Sequence, residues 1–129
     1  AAVNVLDEGE LLQLPNPYAN LRKSGVGEAP KMEKVYPPAQ GNNGTRLLVE
    51  VTNVEGAAKY NGYVSAYADG RGAKALAIPY GGQATRLFFN GLPPARPMYL
   101  FVTSVTAKNQ ESKPSAIREV VLKDEFPFK

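Results

Sequence analysis

Apolar and polar residues alternate with a period of two in several short runs of this chain, and turn residues separate the runs. In Arg46 to Thr52, Leu47, Val49 and Val51 share one side of a strand. Lys59 to Tyr67 places Tyr60, Gly62 and Val64 on one side, which leaves Tyr63 and Tyr67 on the other. Ala84 to Asn90 turns Leu87 and Phe89 inward and Phe88 outward. Lys31 to Tyr36, Ala73 to Tyr80, Met98 to Ala107 and Ile117 to Lys123 read as further strands, seven in all. Pro37-Pro38, Gly41 to Gly44, Asp69 to Gly72 and Gly81-Gly82 punctuate them. The spacing predicts an all-β, seven-stranded antiparallel sandwich over 29–129, with essentially no helix after Ala29. The expected core is Leu47, Val49, Val51, Tyr60, Val64, Leu87, Phe89, Leu92, Phe101, Val105 and Val120.

Residues 1–28 follow neither period and read as an irregular N-terminal arm. Pro15-Asn16-Pro17 interrupts any long element, Tyr18 to Lys23 suits a turn of helix, and Ser24 to Gly27 reads as a joint. Leu11, Leu12, Leu14, Tyr18 and Leu21 are too many apolar side chains to leave in water. They are expected to bury against the chain's own sandwich, a preceding domain or another subunit. The sequence favours binding to a partner, with the arm mobile until bound.

Composition narrows the chemistry. The 129 residues carry 15 basic and 12 acidic side chains, a net charge of +3, with the basic residues dispersed. A nucleic-acid binder concentrates such charge in a patch, so nucleic acid is not an expected partner. No apolar run reaches membrane-spanning length, and no basic-then-apolar leader opens the chain. Cys, His and Trp are all absent. That removes disulfides, thiolate metal sites, the commonest general base and any Ser-His-Asp arrangement. The carboxylates form no pair that demands chemistry, and the glycine pairs Gly25-Val26-Gly27 and Gly70-Arg71-Gly72 are turns, not phosphate loops. No catalytic residue, cofactor or metal is expected. Asn43-Gly44-Thr45 has the form of an N-glycosylation site.

Motifs in the second half carry a resemblance. Gly91-Leu92-Pro93 lies at a corner after Leu87 and Phe89, Val105 and Ala107 form a Val-x-Ala strand, and Ser112 and Ser115 frame a Ser-x-Pro-Ser turn. Together they resemble a fibronectin type III domain over Ala29 to Phe126. Val51 stands where that family has a buried Trp, and Gly62 where it has a bulky inward residue. The resemblance implies an immunoglobulin-like sandwich that binds, spaces or assembles.

The function expected on these grounds is structural: a β-sandwich whose arm docks on neighbouring subunits of a larger assembly. A phage virion decoration or tail protein, or an extracellular filament subunit, has this layout, which places the chain on a virion surface or outside the cell. The alternative is an accessory module of a secreted bacterial polysaccharide-degrading enzyme, with the arm as the tail of a preceding domain and carbohydrate as ligand. The partner-binding candidates are Leu11, Leu12, Leu14, Tyr18 and Leu21 on the arm, and Tyr63, Tyr67 and Phe88 on the sheets.

Overall fold

The computed structural model describes residues 14–36, 47–90, 92 and 96–121. Eight strands and one helix, α1 (Pro17–Ser24), occur among them. Strands β1 (Met32–Tyr36), β2 (Leu47–Val51), β5 (Ile78–Tyr80) and β6 (Gln83–Phe89) form one antiparallel sheet in the order β1-β2-β6-β5. Strands β3 (Ala57–Ser65), β4 (Lys74–Ala75), β7 (Pro97–Thr106) and β8 (Arg118–Val121) form the other, in the order β4-β3-β7-β8. Two antiparallel sheets of short strands packed face to face make the β-sandwich that the alternation predicts.

The core lies between the sheets. Leu47, Val49 and Val51 of β2 and Leu87 and Phe89 of β6 meet Tyr60 and Val64 of β3 and Met98, Leu100 and Val102 of β7. Tyr60 is buried with its hydroxyl satisfied, since it accepts the Val54 N–H at 2.8 Å. Gly62 faces this core on β3. The Phe89 ring occupies the space that a side chain there would need, because a Cβ at 62 would stand 2.7 Å from Phe89 Cζ. The missing bulk at 62 is thus supplied from the opposite sheet.

Two expectations change. The run Ala73 to Tyr80 is two strands on different sheets, with Leu76 and Ala77 N–H both donating to the Gly62 carbonyl at the crossover. Ala75, Leu76, Ala77 and Ile78 are apolar at successive positions, so no alternation holds the run to one sheet. Phe101 and Val105 are buried, but they lie outside the inter-sheet core. Leu100 and Val102 point into that core, so by the pleat their neighbours point to the opposite face of β7. The Val-x-Ala match therefore sits one residue out of phase with the core. Val120 is half-buried against the core.

The Ser112 and Ser115 match has a clear structural role. Segment 112–115 runs beside β7, and each serine serves it twice. The Ser104 N–H donates to Ser112 Oγ at 2.9 Å and the Val102 N–H to Ser115 Oγ at 3.0 Å. The Ser112 and Ser115 N–H groups return bonds to the Ser104 and Val102 carbonyls. Two serines thus continue the pairing of β7 ahead of β8.

Candidate interaction surface

The sandwich has two outer faces, and the chain treats them differently. On the outer face of the β3–β7 sheet, Tyr63 lies directly opposite Phe101. Their rings stack with centroids 4.7 Å apart and planes 8° apart. Helix α1 closes this face. Asn16 caps it by accepting the Ala19 N–H, and Pro17 fills the first position, where a missing N–H costs nothing. Tyr18 sets its ring edge-on to Phe101, centroids 5.0 Å apart. The Gly72 N–H donates to the Pro15 carbonyl at 2.7 Å and the Val26 N–H to the Glu111 carbonyl at 2.9 Å. Lys113 Nζ donates to the Arg22 carbonyl. A Cβ at Gly70 would stand 2.6 Å from Tyr18 Cβ, so the Asp69–Gly72 turn is shaped to receive that residue. Residues 14–27 thus lie on the chain's own sheet.

Glu111 gathers the polar groups beneath this cover. Its Oε2 accepts from Tyr63 Oη at 2.6 Å, Thr103 Oγ1 at 2.6 Å and Asn61 Nδ2 at 3.1 Å. Burial pushes the Tyr63 hydroxyl well above the usual tyrosine range, and the hydrogen bond and charge of Glu111 push it further, against a smaller opposing effect of Asn61. The arrangement fastens two strands and a turn, and the Thr103 hydroxyl beside the carboxylate is fully buried.

The outer face of β1-β2-β6-β5 carries a different pattern. Tyr36 lies opposite Leu48, Leu48 opposite Phe88, and Phe88 opposite Ile78, so one apolar residue from each strand forms a row across the sheet. Tyr80 extends it, its ring centroid 5.4 Å from that of Phe88. Ile78 is 51% exposed and Tyr80 46% exposed, as is Leu76 (51%) at the crossover. A charged row runs alongside, with Lys34 opposite Glu50 and Glu50 opposite Arg86. Arg86 Nε bonds Glu50 Oε2 at 2.8 Å, Tyr36 Oη donates to Glu50 Oε1, and Lys34 Nζ lies 4.6 Å above the Tyr36 ring.

The sequence candidates fall on both faces. Tyr18 and Tyr63 meet around Phe101, and Leu14 and Leu21 are half-buried, with Leu14 beside Gly72. Tyr67 follows β3 in the Ser65 turn. Phe88 is on the opposite face, so the three sheet aromatics do not form one surface. Leu11, Leu12 and Asn43 lie outside the described residues. Tyr36, Leu48, Ile78 and Tyr80 were not among the candidates. The signal for Leu48 was present: an apolar residue between the inward Leu47 and Val49 has to face out.

The architecture is a fibronectin type III-like β-sandwich. A solution structure of a fibronectin type III domain from the human KIAA0970 protein is similar over 97% of this chain and 89% of that one, with a TM-score of 0.51 and 15% identity. A family 28 exopolygalacturonase of Yersinia enterocolitica is similar over 76% of this chain and 21% of that enzyme, with a TM-score of 0.48 and 11% identity. No protein-family model matches the sequence, and no curated protein matches it. Among the described residues no helix is long and apolar enough to cross a membrane, and no group of three or more His, Cys, Asp or Glu is placed to hold a metal.

Proposed function

We propose that this chain is a non-enzymatic docking module that attaches to a protein neighbour through the outer face of β1-β2-β6-β5. The observation that carries the proposal is the contrast between the two outer faces. Residues 14–27 cover Phe101 and Tyr63 on one. On the other, Ile78 and Tyr80 stay about half exposed beside Phe88 and Leu48. A contiguous apolar patch rimmed by charge marks an interaction surface. A virion or an extracellular filament is the assembly in this proposal, on the sequence grounds given above.

A protein partner is favoured over carbohydrate. Sugar stacking needs an open aromatic face. Lys34 lies over the ring of Tyr36, and Phe88 packs at a tilt against Tyr80. The mixed aliphatic and aromatic row suits side-chain packing better.

A photo-crosslinking amino acid at position 78, with position 108 as control, tests the reading in the organism that makes the chain. A discrete protein adduct from position 78, lost on Phe88→Ser, is expected. Equal adducts from both positions, or none from 78, would overturn it. Retention of the chain on a polysaccharide, abolished by Tyr80→Ala, would favour the accessory-module alternative.

A further inference from the structure

We infer that a groove at the far edge of the sandwich takes an extended peptide segment, apolar with flanking carboxylates, from a protein partner. The groove has a volume of about 520 Å³ and lies between the start of β1 and the approach to β8. It is separate from the row on the outer face, and its occupancy does not depend on that reading.

Three observations converge there. The first is topological. β1 ends one sheet and β8 ends the other, so both edges open on the same groove. Among the described residues, nothing pairs with the outer side of either strand. The second is the lining. Pro30, Met32, Pro114 and Ile117 make its walls apolar. The third is charge. Lys31 and Arg118 are the charged residues of the lining, both are exposed, and no carboxylate lines the groove. Neither forms a salt bridge among the described residues.

The two edges differ in receptiveness. β1 has a register shift between Met32 and Lys34, which discourages further pairing. β8 pairs in unbroken register with β7, from Arg118 opposite Leu100 to Val121 opposite Pro97, and contains no proline. An extended segment can therefore add to β8 by main-chain hydrogen bonds. Its alternate side chains would enter the apolar groove, and its carboxylates would meet Arg118 and Lys31. This is strand addition, in which main-chain bonds supply affinity and alternate pockets supply specificity.

A random dodecapeptide phage library, selected on the intact chain, tests the inference. Enriched sequences should alternate apolar and acidic residues. Synthetic copies should bind less tightly in high salt, and Arg118→Glu should weaken them by about tenfold or more. Lys108→Glu, in the turn after β7, should leave binding unchanged. Arg118 is exposed, so its variant should keep the wild-type melting curve. Ile117→Asp should also abolish binding, with Arg118→Glu deciding the matter if that variant fails to fold. Absence of enrichment, enrichment of basic peptides, or equal binding to Arg118→Glu would overturn the inference.

Discussion

Phe101 is fully buried although it lies on an outer face of the sandwich, because Tyr63 stacks on it and Tyr18 closes over its edge. Three rings from α1, β3 and β7 thus form a second, smaller core. Phe101→Ala should remove about 3–5 kcal/mol of stability, as for any large buried ring. Urea unfolding measures this. A loss below about 1 kcal/mol would mean that the arm does not rest on this ring.

The same contacts decide what removal of residues 1–27 does. Read from the sequence alone, that deletion should leave the melting temperature nearly unchanged. The structure predicts otherwise. Deletion uncovers Phe101 and Tyr63 and removes the bonds from Gly72 N–H to Pro15 and from Val26 N–H to Glu111. Exposing two aromatic side chains costs about 1.5–3 kcal/mol each, less whatever burial the sheet recovers. A clear fall in melting temperature and new binding of a hydrophobic dye are expected. An unchanged melting curve would show that the cover adds nothing.

Much of the fold is legible in the sequence because β2, β3 and β6 bury one face more deeply than the other. Leu47, Val49 and Val51 alternate with Leu48 and Glu50, and the pleat does the rest. β7 hides its phase because it is buried on both sides from Leu100 to Val105. A strand covered on both faces has no alternation to read, so a short Val-x-Ala match cannot set which face is inward. The candidate surface was only partly visible for a different reason. Phe88 shows in its own strand, but the row that joins it to Tyr36, Leu48 and Ile78 exists only through register between strands distant in sequence. Glu111 is similar: its three donors come from β3 and β7, and nothing near it in sequence announces them.

Gly62 and Phe89 share one space. Gly62→Ala would put its Cβ 2.6 Å from Ala77 Cβ and 2.7 Å from Phe89 Cζ, closer than side chains pack. Overpacking of this kind costs about 1–3 kcal/mol. Phe89→Leu alone opens a cavity, and in the double variant it relieves the clash of the new methyl with the Phe89 ring, leaving only that with Ala77 Cβ. The two losses should therefore be markedly less than additive in a double-mutant cycle. Strict additivity would mean that the positions do not touch.

Ser112→Ala isolates the role of the serines. It leaves the buried Ser104 N–H without its acceptor. An orphaned buried donor costs about 1–3 kcal/mol. Amide exchange at Ser104 should accelerate more than exchange in β2. Equal changes across both sheets would point to a general loss of stability instead.

Tyr63 should make the fold alkali-sensitive. Burial, then the hydrogen bond and charge of Glu111, hold its hydroxyl proton above the ordinary tyrosine value of 10.0. The folded state therefore keeps a proton that the unfolded chain releases near that value. The resulting stability is fully present below the unfolded pKa and declines as pH rises above it, since the unfolded state then binds fewer protons. Tyr63→Phe removes both the bond to Glu111 and this ionisation. At neutral pH the variant should be less stable by about 1.5–3 kcal/mol, having lost a hydrogen bond to a carboxylate. Above the ordinary tyrosine range the wild type should lose stability faster, so the two proteins converge. Tyr99, whose pKa is raised by desolvation and by Glu119, acts with the same sign in both chains and cancels in the comparison. Urea unfolding at about pH 8 and about pH 11 reads the convergence directly. A stability difference that stays constant across that interval would show that the Tyr63 proton is lost as easily in the folded chain as in the unfolded one, and the bond to Glu111 would then not be holding it.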